Sequence, residues 1–580
     1  MTIGGHRRAR TALLALACSV MLALTACDTG GSDGASGTGG DEGGGFLGLG
    51  REEPDPVSAA TTRPADQTVV VAGQSAAERA DGSAQALFAS APVVVLAAEQ
   101  EQLRGASAAV ALGVPVLVDG PGTAAQLDRL GAEVALALGP VADPGIDVVV
   151  PEDDEALADL LGVDADAVTV SAQEAAQRIA TLDPAAPQLL VPAEGTAGSG
   201  TGGTAATAPP PGDAAATTGA APLEPDRDDL PPTTPPGALP DVAVLSTGED
   251  ADLAALGTAR AAGAQVLVGP EIDPRASSES VQALAAADPA VVLALGQGYG
   301  APEDLAWKVR AARTGVELPG GGQLVLPGKQ YVALYGTPST GALGVLGEQP
   351  MEQTIARAEE HAGWYEPLTE ETVVPTLEII VTVASGDAGP DGNYSNELPV
   401  ADIEPLVDLA EEHGHYVVLD LQPGRTDFLT QAKLYEDLLV RPHVGLALDP
   451  EWRLGPDEVH LVQIGQVGVE EVDEVVTWLA DLTRDHDLPQ KVLVLHMFQN
   501  RMIPDVDAVD QSREELAVLI HADGQGAQPD KQTTWRTLHA HAPSVRYWGW
   551  KNFYDEDTPM LTPEETVGLV DPLPDFISYQ

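Results

Sequence analysis

The stretch Val444-Gly-Leu-Ala-Leu-Asp-Pro-Glu-Trp452 breaks from an apolar run into two carboxylates two residues apart, then a tryptophan. A short, continuously apolar run fits a strand buried on both faces, and such strands belong to parallel sheets covered by helices. Four other apolar runs close on polar groups in the same way, at Asp420-Leu-Gln422, His496-Met-Phe498, His521-Ala-Asp523 and Trp548-Gly-Trp-Lys551. Residues two apart lie on one side of a strand, so these ends would converge on a single rim. Two carboxylates flanking a bond can hydrolyse a glycoside, one as acid and the other as base or nucleophile. The candidate catalytic groups are therefore Asp449, Glu451, Asp420 and Asp523. Gln422, Trp452, His496, His521, Trp548, Trp550 and Lys551 are the candidate substrate contacts, with the tryptophans offering faces for a sugar ring. Any one of these residues alone reads as a cap, a core histidine or simple packing. Repetition over five strand ends is what favours a site.

The same carboxylates and imidazoles are ligand types that a divalent metal uses in hydrolysis, so metal-dependent hydrolysis is the second chemistry. No His-x-His or His-Glu-x-x-His spacing supports it, and no metal ligand or cofactor is assigned. A third possibility, of another class, is an inert barrel that binds or scaffolds.

Strand candidates at Tyr331–Gly336, Leu377–Ala384, Tyr416–Leu421, Val444–Leu448, Lys491–Met497, Leu516–Ala522, Val545–Lys551 and Phe576–Gln580 number eight. Between them run stretches such as Phe428, Ala432, Tyr435, Leu439 and Val469, Val472, Val476, Leu479, stepping by three or four as a helix lying on a sheet does. Alternation of this kind over residues 328–580 predicts an eight-stranded α/β barrel of the TIM type, each strand followed by a helix, with its working face where the strands run out. The connection Ser385–Pro399 falls on that face and would serve as a lid. The domain resembles the barrels of the glycoside hydrolase superfamily in general architecture. That resemblance implies hydrolysis or binding of a glycan, although no Asn-Glu pair ends the fourth strand.

The first half of the chain is different material, rich in Ala, Val, Gly and Leu and nearly free of aromatic residues. Val93–Leu96, an Ala-rich helical stretch, Gly113–Val118 and Leu136–Gly139 recur about 150 residues later as Val242–Leu245, Leu253–Ala262, Gly263–Val268 and Val292–Gly296. Short Val/Leu runs between helices predict parallel sheets with crossover helices. With Val70-Val-Ala-Gly-Gln-Ser-Ala-Ala-Glu-Arg79, this region, 67–320, resembles the type 2 cell wall-binding repeat family. The resemblance implies attachment to a cell-wall polymer. Residues 146–193 read as a degraded further copy, and 194–240 as a disordered linker.

With 29 basic and 88 acidic residues, the formal charge of −59 argues against a nucleic-acid partner, since too few cations are available to neutralise phosphates. A basic start, an apolar stretch Thr11–Leu24 and Leu24-Thr-Ala-Cys27 form an export signal over residues 1–27. The last four residues resemble the lipobox of bacterial lipoproteins. This implies a lipid on Cys27 that anchors the chain to the outer face of the cytoplasmic membrane. Residues 28–66, poor in large apolar side chains, read as a tether. Cys18 lies within the signal, so the mature chain would hold no internal disulfide.

Overall fold

The computed structural model describes residues 55–164, 166–193 and 223–580. The export signal, Cys27 and most of the expected tether lie outside them, as does the 194–222 part of the expected linker. Among the described residues no helix is long and apolar enough to cross a membrane.

The first half folds as parallel α/β units. One four-stranded sheet holds Val93–Ala97, Val116–Val118, Val134–Leu138 and Asp147–Val149; the other holds Val242–Ser246, Gln265–Val268, Val291–Leu295 and Thr68–Val71. Thr68–Val71 precedes the first unit in the chain, yet it pairs with Val291–Leu295 of the second. The ends of the repeat region are thereby closed on each other. Within residues 146–193, Val168–Val170 pairs in parallel with Leu190–Pro192 as a separate two-stranded sheet.

The two units meet through helices Gln102–Leu112 and Leu253–Ala261, which are buried along most of their length. A Cβ on Gly257 would lie 2.5 Å from the Ala106 backbone, so only glycine permits this crossing. The Gln-Ser-Ala-Ala-Glu-Arg motif has a physical explanation. Ser75 and Glu78 form a reciprocal capping box on helix Ala76–Leu87. Arg79 then reaches across to Asp252 of the second unit at 2.6 Å.

Two expectations of disorder need correcting. The tether does not extend to residue 66, and the linker does not extend to residue 240. Val57–Ser58 pairs in parallel with Thr233–Thr234, and Ala60–Thr61 pairs with Phe88–Ser90. The backbone N–H of Val57 donates to the Pro232 carbonyl at 2.8 Å, so these short polar segments satisfy each other.

From residue 329 the chain forms a closed barrel of eight parallel strands: Lys329–Gly336, Thr372–Ala384, Tyr416–Leu421, Val444–Leu448, Lys491–Met497, Leu516–Ala522, Tyr547–Asn552 and Phe576–Tyr579. The first strand pairs with both the second and the last. Helices interleave with the strands, with one exception to the expected alternation. Between the fifth and sixth strands only a 3-10 turn, Val506–Ala508, is present. Pro504 and closely spaced aspartates interrupt a helical repeat there, and buried Met502, Ile503, Val506 and Val509 cover the sheet along an irregular path.

Alternation fills the barrel. Tyr331, Ala333, Val374, Tyr416, Val418, Ala447, Val492, Val494, Ala517, Leu519 and Phe576 pack inside with Leu318, Val325 and Leu326 from the joint before the first strand. The tight joint depends on Gly322, at φ 60°, where a Cβ would lie 2.8 Å from the Ala276 carbonyl oxygen.

Candidate functional site

Beyond that apolar layer the inward side chains become polar, two residues on along most strands and, past Thr376, four residues on from Val374 along the second. They are Tyr335, Glu378, Asp420, His496, His521, Lys551 and Ser578, with Asp449 closing the fourth strand. Period-two alternation thus places one polar ring above a dry core at the C-terminal ends of the strands.

His496 is the hub. Its Nε2 donates to Glu378 Oε1 at 2.8 Å and its Nδ1 to Asp523 Oδ2 at 3.0 Å, while Asp420 Oδ1 lies 4.0 Å from Nε2. Burial disfavours its charge, but Glu378, Asp523 and Asp420 outweigh it and hold His496 well above the usual histidine value. His521, 4.8 Å away ring to ring, goes the other way. Burial first, then the charges of His496 and Lys551, push it well below the ordinary value, and its Nε2 meets Ser578 Oγ at 3.1 Å. Lys551 Nζ rests 3.2 Å from the centre of the Tyr335 ring. The Tyr335 hydroxyl donates to Asp420 Oδ2 at 2.7 Å.

The four candidate catalytic carboxylates occupy two levels. Asp420 is fully buried, and burial pushes it up to about 6. Asp449 is 3% exposed; burial, then Asp420, Asp523 and Glu451, hold it well above the usual range apart from the opposing pull of His496. Its Oδ1 accepts the Glu451 N–H at 3.1 Å, so it caps the turn Pro450–Trp452. Glu451, half-buried, and Asp523, whose side chain is only 7% exposed, form the upper level at the mouth. Glu451 is pushed up to about 7, by burial first and then by the charge of Asp523. Burial would raise Asp523 as well, but the His496 hydrogen bond and charge, followed by Lys551, hold it below the ordinary carboxylate value.

The backbone of Glu451 is fixed from both sides. Its carbonyl accepts from Gly465 N–H at 2.7 Å. Arg453, two residues on, pairs through Nε with Glu471 Oε1 at 2.9 Å and through Nη2 with Oε2 at 3.1 Å. Glu471 begins helix Val469–Asp485, whose buried Val469, Val472, Val476 and Leu479 seat it on the sheet.

Gln422 is buried and locked, accepting from Ala384 N–H at 3.0 Å and donating to Tyr335 at 3.4 Å. Trp452 stands half-buried at the rim with His460 at 5.2 Å, and His460 Nε2 donates to the Tyr394 carbonyl at 2.8 Å. Tyr394 belongs to the expected lid, whose Ser395–Glu397 adds an antiparallel strand to the end of the second barrel strand.

Trp548 and Trp550 are not at the rim. Since Tyr547, Gly549 and Lys551 share the inward face, the residues between them must point out. Trp548 stacks on His539 at 3.6 Å and Trp550 packs edge-on against Trp535 at 5.7 Å, both in the layer between barrel and helices. Glu378 and Tyr335 complete the ring, although neither stands out in the sequence as a site residue. Their signal is register, since each lies two residues above an inward-facing side chain.

Glu378, His496 and His521 offer three ligand atoms within 4.8 Å of one another, close enough together that they could hold a metal ion. His496 already donates from both nitrogens, so an ion there would have to displace its bond to Glu378.

The chain therefore combines a parallel α/β repeat region with an eight-stranded parallel barrel whose mouth is lined by carboxylates. No protein-family model matches it, and no curated protein does. Among solved structures it is similar to Cwp6 from Clostridium difficile, 11% identical over 61% of this chain and 63% of that one, with a TM-score of 0.30. Cwp8 from Clostridium difficile is 12% identical over 43% and 52%, with a TM-score of 0.27. Concanavalin B is 13% identical over 43% and 93%, with a TM-score of 0.26. The chain spans about half the length of Cwp8 and under two thirds of Cwp6. These likenesses are distant, and no chemistry follows from them.

Proposed function

We propose that the barrel hydrolyses a glycan, with Glu451 as the acid and Asp523 as its ionised partner. The supporting observation is the pair itself: two neighbouring carboxylates at the mouth whose surroundings push their proton affinities apart, as acid–base assignments require. Glu451 protonates the glycosidic oxygen as the C1–O bond breaks. Asp523 either attacks C1, giving a glycosyl-enzyme that water then hydrolyses, or takes the proton of the water that attacks C1. His496 positions Asp523 and keeps it ionised. Glu378 and Asp420 keep His496 charged, and Trp452 offers a face to a sugar ring.

The repeat region would hold the enzyme against its polymer, and the lipid on Cys27 would hold it at the membrane. Both of these rest on sequence resemblance. Replacing Cys27 by Ser should release the protein from the membrane fraction.

The test is release of new reducing ends from peptidoglycan and from β-1,4-linked amino-sugar oligomers by the wild-type protein and by Glu451→Gln. Release by the wild type that is lost in the variant is the expected result, and the anomer first formed distinguishes the two routes. Equal release by both proteins, or none by the wild type, refutes this assignment.

A further inference from the structure

We propose that the second repeat unit holds a binding site for a small uncharged ligand, about the size of an aromatic ring and carrying one hydroxyl or carbonyl oxygen. The site is separate from the barrel mouth and does not depend on the hydrolase assignment.

Its place follows from the order of the strands. The chain runs from Val242–Ser246 outward to Gln265–Val268, then back across the first of these to Val291–Leu295. In an open parallel sheet such a reversal leaves a crevice at the carboxyl ends of the strands, where ligands bind. A cavity of about 200 Å³ lies there, lined by Leu245 and Leu267 from the strands, Ala283 and Leu284 from helix Ser278–Ala287, and Ile272 from the loop between. An apolar cavity of about 150 Å³ already takes a benzene ring.

Tyr299 supplies the polar end. It lines the cavity and is only 6% exposed, yet its hydroxyl has no hydrogen-bond partner among the described residues. A buried tyrosine hydroxyl ordinarily has one, and an oxygen on the ligand provides it here. Ser246 and Gln177 also line the cavity but are already engaged. Ser246 Oγ donates to Asp252 at 2.6 Å and Gln177 Nε2 to the Val268 carbonyl at 3.0 Å. A sugar ring, with several hydroxyls to satisfy, does not suit walls this apolar. Asp252 and Glu249 are charged neighbours of Tyr299, and Arg79 beside them is already paired with both. An anionic ligand is therefore disfavoured, and an ammonium would have to leave water for an apolar wall.

The first unit shows the same crevice closed. At the places of Ser246, Gly269 and Tyr299 it carries Ala97, Asp119 and Ala142. Asp119 Oδ2 accepts the Ala142 N–H at 2.8 Å and so ties together the two loops that flank the strand ends. Gly269 has no side chain with which to make that tie.

The experiment is a ligand-observed NMR titration of the full chain with benzyl alcohol, toluene, benzoate and benzylamine. Benzyl alcohol should bind one-to-one with a Kd below about 1 mM, within the ceiling for a ligand of so few atoms. It should bind at least about tenfold more tightly than benzoate or benzylamine. Tyr299→Phe removes only the hydroxyl and should weaken benzyl alcohol about fivefold while leaving toluene unchanged. Gly269→Asp rebuilds the tie of the first unit and should weaken both of these ligands at least about tenfold. Space permits it, since the nearest atom to a Cβ there is Ser280 Oγ at 3.1 Å. If Gly269→Asp does not fold, Tyr299→Phe decides alone. No binding of benzyl alcohol to the wild type, tighter binding of benzoate or benzylamine, or an unchanged affinity for benzyl alcohol in Tyr299→Phe overturns the proposal.

Discussion

The repeat region and the barrel mouth both bury charge, but they do so in opposite ways. Between the repeat units Arg79 meets Asp252 at 2.6 Å and Glu249 at 2.8 Å, and Asp252 takes a further bond from Ser246 at 2.6 Å. The cation is matched and the acceptors are met, as in a joint that has only to hold. In the mouth acids outnumber cations, and acceptor atoms of Glu378, Asp420 and Asp523 go without donors. Buried acids with unmet acceptors cost stability, and they persist where something other than stability is selected. On the proposed reading the first cluster is structural and the second functional.

The sharpest way to break that comparison is to remove one carboxylate from each side. Glu451→Gln should lower glycan turnover by roughly 10²–10⁴, the span that general acids contribute, with the melting temperature nearly unchanged because no hydrogen bond is lost. A variant that unfolds instead would make Glu451 structural.

Arg79→Ala should be the converse. It strands Asp252 in the interior and should cost about 3–5 kcal/mol of unfolding free energy by calorimetry, while the barrel chemistry is untouched. Replacing both partners by apolar residues should restore much of that loss. If Arg79→Ala is silent, the joint is not what holds the units together.

A third effect is smaller and depends on pH. The groups facing Glu451 are Asp523, Lys551, His496 and Asp449. With Glu451 titrating at about 7 and required protonated, kcat/KM should fall about tenfold per unit as pH rises above 7. Asp523, held below its usual value and required ionised, should leave activity intact until well into the acid range. A rate that rises through pH 7 would reverse the two roles.

Most of the barrel was legible in the sequence because a strand buried on both faces advertises itself as an apolar run stopped by a charge or a turn. Tyr416–Leu421, Val444–Leu448, Lys491–Met497 and Leu516–Ala522 end where their patterns end. The site was harder to read. Glu378 sits in the middle of Thr372–Ala384, because that strand continues beyond the rim and pairs with Ser395–Glu397, so no strand end points to it. Trp548 and Trp550 looked like rim residues by position, but inward or outward facing is decided by parity, and Lys551 already occupies the inward face. The pairing of Val57–Ser58 with Thr233–Thr234 joins segments 176 residues apart that carry no hydrophobic pattern, and composition reads such segments as loose.

The smallest effect tests the lower level of the mouth. Asp420 is fully buried and titrates at about 6, against 3.8 for an ordinary aspartate. Below 3.8 both folded and unfolded chains hold the proton and the residue is neutral to stability. As pH rises toward 6 the unfolded chain gives up its proton first, so folding is penalised, and above 6 the penalty stays constant. Asn in its place can still accept the Tyr335 hydroxyl, carries no charge to bury, and forgoes the attraction of His496. The balance should stabilise Asp420→Asn by on the order of 1 kcal/mol at pH 8 and by nothing measurable at pH 3.5, read from paired urea melts. If Asp420→Asn is instead destabilised at pH 8, the His496 charge depends on Asp420 more than burial opposes it. The lower level of the mouth would then be a matched network like the Arg79 joint, and the contrast between the two regions would narrow to Glu451 and Asp523 alone.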